Sequence, residues 1–84
     1  MTDIERKVME VLIAYPRTTD AWKDPIHAVD KAMVTEGWET AKSTSFVTDM
    51  VRRKLVKTRT TGRNVNDPSE PSSQWWWEKG EKAD

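Results

Sequence analysis

The stretch from Ser43 to Arg63, STSFVTDMVRRKLVKTRTTGR, decides the fold. Phe46, Val47, Met50 and Val51 fall at i, i+1, i+4 and i+5, one apolar stripe of a 3.6-residue helix. Ser45, Thr48, Asp49, Arg52 and Arg53 take the opposite face. Leu55 and Val56 then lead into Lys57, Thr58, Arg59, Thr60 and Thr61, a polar, threonine-rich strand that a glycine turn closes. Seven basic residues and one acid lie between Lys42 and Arg63, a local charge of +6. Charge gathered on one helix and the strand after it calls for an anionic partner.

Outward from that centre the sign reverses. Residues 1–41 and residues 64–84 each carry −3, so a net charge of zero conceals a polarised molecule. Eighty-four residues suit one domain with one small core. The chain has no cysteine and a single histidine, His27, which removes disulfide frameworks, thiolate metal sites and most triad chemistry. No metal and no cofactor is expected. No apolar run nears the roughly 20 residues of a membrane span, and the start lacks the apolar core of a signal peptide. The expectation is no membrane partner, and a cytoplasmic, nucleoid-associated location.

Upstream, Thr2-Asp3-Ile4-Glu5 has the spacing of a capping box. Ile4, Val8, Val11, Leu12 and Tyr15 continue it as one buried helical face, with Pro16 just beyond, so a helix is predicted over 3–15. The acids of this segment, Asp3, Glu5 and Glu10, are assigned to its solvated face. Thr18 and Thr19 fit a very short strand, and Trp22 a plug for the core. Asp24 and Pro25 fit an N-cap and first helical position. Ile26, Val29 and Met33 give the buried face of a second helix over 25–36, with Gly37 as its left-handed stop. His27 is read as solvent-facing or structural.

Residues 38–42 form a turn, Ser43 or Thr44 caps the third helix (43–54), and strands follow at 55–61 and 74–79. The intervening 62–73 is rich in turn formers and reads as an irregular loop. In the last strand Trp75 and Trp77 face one way and Trp76 the other. Residues 80–84 read as a polar, frayed tail.

The order of elements, and above all Val47-Thr48-Asp49-Met50-Val51-Arg52-Arg53-Lys54-Leu55-Val56-Lys57-Thr58-Arg59, resembles a winged helix-turn-helix domain of the MarR and PadR kind. There a basic pair, a glycine, a leucine and a valine lead from the recognition helix into the wing. Lys54 stands at the glycine's place. The resemblance covers residues 1–79, with 62–73 as the wing loop, and implies a mainly helical α+β fold of three helices and a C-terminal β-hairpin wing. It implies that the third helix enters a DNA major groove, turning Thr44, Ser45, Thr48, Asp49 and Arg52 to the bases. Lys42, Arg52, Arg53, Lys57, Arg59 and Arg63 then hold phosphate or minor groove, about four to six phosphates in all.

The expected function is a small DNA-binding transcriptional regulator, working as a homodimer because one copy contacts one half-site of double-stranded DNA. An enzyme is not expected, since no paired-carboxylate cleft or glycine-rich phosphate loop is visible. Two plainer explanations stand beside this reading. Arg52, Arg53 and Lys54 fall in a last helical turn, where the macrodipole favours cations, and Asp49 can pair with Arg53 at i+4. Trp75, Trp76 and Trp77 fit core or a dimer contact better than a base-stacking platform. The rival function is a protein-interaction module, an adaptor or inhibitor of the kind phages and mobile elements carry, docking an acidic protein on the same basic face. DNA binding requires that face to be free of the chain's own carboxylates.

Overall fold

The computed structural model describes residues 1–37, 43–61 and 73–83. Helices α1 (Asp3–Ala14), α2 (Lys23–Val34) and α3 (Ser43–Arg52) precede strands β1 (Val56–Thr60) and β2 (Trp75–Lys79). The fold is α+β and mainly helical. The expected turn at 38–42, with Lys42, and most of the expected wing loop, with Arg63, lie outside the described residues.

The capping box starts α1 as its spacing predicts. The Thr2 hydroxyl accepts from the Glu5 amide at 3.1 Å, and the Thr2 amide donates to Glu5 Oε1 at 2.7 Å. The buried face, however, is rotated from the expected one. Glu5, Val8, Met9 and Leu12 point inward, while Ile4 is 45% exposed. Glu5 is therefore not on the solvated face: having turned back to cap the helix, it sits over the core side, and Met9 fills the place expected of Ile4.

α2 begins two residues ahead of the expected Pro25. Asp20, not Asp24, satisfies its first amides: Asp20 Oδ1 accepts from Trp22 N at 2.9 Å and Lys23 N at 3.1 Å. Pro25 then sits third in the helix, still within the turn where no N–H has an intrahelical partner. Ile26, Val29 and Met33 are buried, and Gly37 closes the following turn at φ +79°. His27 is exposed.

α3 already includes both residues expected to cap it. Ser43 is its first residue, buried, and its hydroxyl has no hydrogen-bond partner among the described residues. Val47 and Met50 are fully buried, with Phe46 and Val51 packed against the same core. The helix ends at Arg52 through a Schellman arrangement: Leu55 N donates to Met50 O at 2.9 Å and Lys54 N to Val51 O at 3.0 Å. The residue this motif places in the left-handed region is Lys54, at φ +62°. The sequence pattern's glycine position is thus geometrically a glycine position, occupied by lysine.

β1 and β2 pair antiparallel, with Thr58 opposite Trp77 and Arg59 opposite Trp76. Thr18 joins as an isolated bridge to Trp75, with N–H···O bonds of 3.0 and 2.7 Å in the two directions. The alternation expected of the tryptophans holds. Trp77 is buried, its Nε1 donates to Ala21 O at 2.8 Å, and its ring meets Trp22 edge-on at 5.2 Å. Trp22 is a rim group, 37% exposed; Ala21 is the buried residue of that loop.

The C-terminal segment departs most from expectation. Rather than fraying, Gly80 N donates to Leu55 O, Lys82 N to Lys54 O at 2.9 Å, and Ala83 packs against the core. A Cβ built at Gly80 comes within 2.1 Å of the Lys54 carbonyl oxygen, so only glycine lets these backbones approach. The tail thereby satisfies carbonyls of the turn that joins α3 to β1.

This junction yields paired expectations. Gly80→Ala forces two backbones apart and destabilises by about 2 kcal/mol or more. Lys54→Gly relieves a left-handed strain of about 1–2 kcal/mol at the loss of an exposed ion pair, for a net gain of about 0.5–1 kcal/mol. Urea unfolding of the two variants checks both; equal stability of Gly80→Ala and the parent refutes the close approach.

Candidate nucleic-acid interface

The outward edge of α3 carries Thr44, Ser45, Thr48 and Arg52, all exposed, with Asp49 half-buried among them. Thr48 Oγ1 donates to Thr44 O at 2.8 Å, spending its proton within the helix and leaving its oxygen as an acceptor. This is the side that the sequence assigns to base edges. The apolar stripe beneath holds it outward, because Val47 and Met50 have no other way to leave water.

The cations of this end meet carboxylates of the same chain. Arg52 Nη2 binds Asp49 Oδ1, while Arg53 Nε donates to Asp49 Oδ2 at 2.8 Å. Arg53 Nη2 also reaches Glu5 Oε2 on α1. Lys54 Nζ lies 3.0 Å from Glu81 Oε1 of the docked tail. Arg53 and Lys54 are thus fastened between elements, whereas Arg52, its side chain 78% exposed, is held among the described residues by its own helix. Of the cations expected to grip phosphate, Arg53 is the one most committed elsewhere.

Ionisation follows from these contacts. The Thr2 amide and then the Arg53 guanidinium hold the Glu5 carboxyl below its ordinary range, against a smaller opposing effect of burial. Asp49 is likewise lowered, chiefly by the hydrogen bond from Arg52. Both carboxylates are charged at neutral pH, and the α3 end is close to electrically balanced.

The hairpin differs. Its outward face carries Lys57, Arg59, Trp76 and Glu78, since Lys57 stands opposite Glu78 and Arg59 opposite Trp76. Trp76 Nε1 donates to Glu78 Oε2 at 2.9 Å, and Arg59 Nε lies 3.9 Å from Glu78 Oε1. Arg17, from the loop after α1, lies over the Trp76 ring at 4.1 Å from its centroid.

No family model matches this chain, and no curated protein or solved structure does either.

Among the described residues no cluster of histidine, cysteine and carboxylates has the makings of a metal site. None of the described helices is long and apolar enough to cross a membrane. The structure brings Thr44, Ser45, Thr48, Asp49 and Arg52 together on α3, with Arg53 just past its end, and Lys57, Arg59 and Trp76 together on the hairpin. Trp77 belongs to the core, and Trp75 is half-buried behind its bridge to Thr18. Four residues that organise the surface were not singled out for it from sequence: Glu5, Arg17, Glu78 and Glu81. Only Glu5 had a signal, since a capping-box glutamate has a second oxygen to offer.

Glu5→Gln separates the two duties of that side chain, because glutamine keeps the capping box and loses the charge on Arg53. The expected cost at neutral pH is about 1–2 kcal/mol, the lower part of the range for a charged hydrogen bond, since Arg53 keeps Asp49. A carboxyl lowered on folding stabilises above its unfolded value, near 4.5 here, and that contribution is lost as pH falls through the folded value. Urea midpoints between pH 7 and about pH 2.5 therefore converge for parent and variant on acidification. A gap that stays constant contradicts the Glu5–Arg53 tie.

Proposed function

We propose that this chain is a small DNA-binding protein of the winged-helix type, with α3 docking in the major groove of a duplex and the hairpin serving as its wing. The reading rests on one observation: an exposed polar edge, Thr44, Ser45, Thr48 and Arg52, held outward by a buried apolar stripe and followed at once by an antiparallel hairpin. The bridge from Thr18 to Trp75 supports it, since it ties the segment between the first two helices to the open edge of the hairpin. As a regulator the chain would act as a homodimer on two half-sites.

The ion pairs set the strength of docking. Each exposed pair stabilises by only about 0–1 kcal/mol, so a phosphate can take the place of a carboxylate. The exchange nonetheless gains little net charge, and the salt dependence should reflect about one or two phosphates at the α3 end instead of four to six. Contact with DNA then depends on donors and acceptors at base edges, where the Arg52 fork, already turned by Asp49, is suited to a guanine.

The same pairing favours a second reading, a protein-interaction module. A face balanced three cations to three carboxylates is ordinary protein surface, and Ile4 and Val34, 45% and 53% exposed, add apolar area away from it. Anisotropy of a labelled duplex library at about 50 and about 200 mM salt separates the readings. DNA docking predicts binding at the lower salt that Arg52→Ala weakens about tenfold, the worth of one bidentate contact. No binding at the lower salt removes the DNA reading and leaves the interaction module.

A further inference from the structure

We infer that the outward face of the hairpin is a second nucleic-acid surface, made for a single strand and independent of α3. The described cations divide unequally between the two faces. At the end of α3, Arg52, Arg53 and Lys54 are matched by Asp49, Glu5 and Glu81. On the sheet, Arg59 faces Glu78, Arg17 lies over Trp76, and Lys57 stands opposite Glu78 and lines one groove with Lys54 and Glu81. The Glu78 carboxylate is already committed, because its Oε2 accepts from Trp76 Nε1 at 2.9 Å and its other oxygen is 3.9 Å from Arg59. Across the two faces these six cations exceed the four carboxylates by two, and the least closely paired of them, Arg17, Lys57 and Arg59, border the sheet.

The face also has the second component that single-strand recognition needs. Trp76 is held by its bond to Glu78, and the Arg17 guanidinium carbon lies over the ring, 4.1 Å from its centroid. A guanidinium stacked on an indole keeps its in-plane N–H groups free, and its outer face offers a planar cation to a nucleobase. Lys57 and Arg59, two residues apart on β1, point to the same side, about 7 Å apart along the strand, close to the spacing of successive phosphates in an extended strand. Lys57 and Arg59 are both exposed, so an extended strand can lie along this face of β1. A single strand laid along β1, with phosphates on Lys57 and Arg59 and a base on Arg17, satisfies all of these groups together.

The test uses the full chain and fluorescein-labelled oligothymidylate of about 12 nucleotides, long enough for one such site. Binding is expected at about 50 mM salt, weakening with a slope of about two phosphates. Arg17→Ala combined with Arg59→Ala should reduce single-strand affinity at least about tenfold, whereas Arg52→Ala should leave it within about twofold. Lys57→Glu, a substitution at an exposed position that leaves the Arg17–Trp76 contact intact, gives the same loss if the double variant folds poorly. Absence of binding at the lower salt overturns the proposal, as does unchanged binding by Lys57→Glu or equal binding of polyglutamate. Failure of the α3 reading appears elsewhere, as loss of duplex binding with oligothymidylate binding retained.

Discussion

The approach of Gly80 to the Lys54 carbonyl is the constraint on which the rest of the structure leans. It lets the chain's C-terminal segment hydrogen-bond to the reversal between α3 and β1, so helix, strand and tail meet at one point. The reversal aims β1 back along the core, and that direction sets which side of the hairpin Trp77 takes. Burial of that indole, the largest apolar group in the core, needs both the register of Thr58 against Trp77 and the Ala21 carbonyl that receives its N–H. A residue with a Cβ at position 80 would disturb this whole sequence of dependences from its far end.

Glu5 fastens the opposite side. One oxygen receives the Thr2 amide and completes the start of α1; the other receives Arg53 at the end of α3. Because the carboxylate is buried and the guanidinium is half out of it, the pair is costly to break yet adds little by itself as a charge interaction. Its effect is geometrical: it fixes where the end of α3 lies over α1. That service removes Arg53 from any role at the surface, and Asp49, shared by Arg52 and Arg53, reduces what remains.

Local features were legible in the sequence and tertiary ones were not, with instructive exceptions. Thr2 and Glu5 announced their capping box, Ile26, Val29 and Met33 their common face, and Lys54 its glycine-like position, because each depends on neighbours a few residues away. Thr18 was legible as a very short strand from its β-branched type, but its partner, Trp75, lies far along the chain and was not. Asp20 was missed as the organiser of α2 because Asp24-Pro25 is a stronger local signal; the fold chose the aspartate whose oxygen reached two amides at once. Ile4 and Met9 exchanged roles because both fit helical spacing, and only the position of Glu5 decides between them. Lys54–Glu81 and Arg53–Glu5 join residues far apart in the chain, and no spacing rule reveals them.

Counting charges along the chain does not show which cations the fold pairs, for a physical reason. A run of arginines and lysines measures positive charge in one dimension, whereas an incoming anion responds to the sum within about 8–10 Å in three. Folding delivers Glu5 and Glu81 to the end of α3 from the two ends of the chain, and delivers Arg17 to the hairpin, where the sequence shows only Lys57 and Arg59. The acidic flanks are what make this redistribution: their carboxylates are spent where the linear density of cations is greatest. Among the described residues, the cations of the α3 end are the more closely paired, and Arg17 and Arg59 border an indole on the sheet.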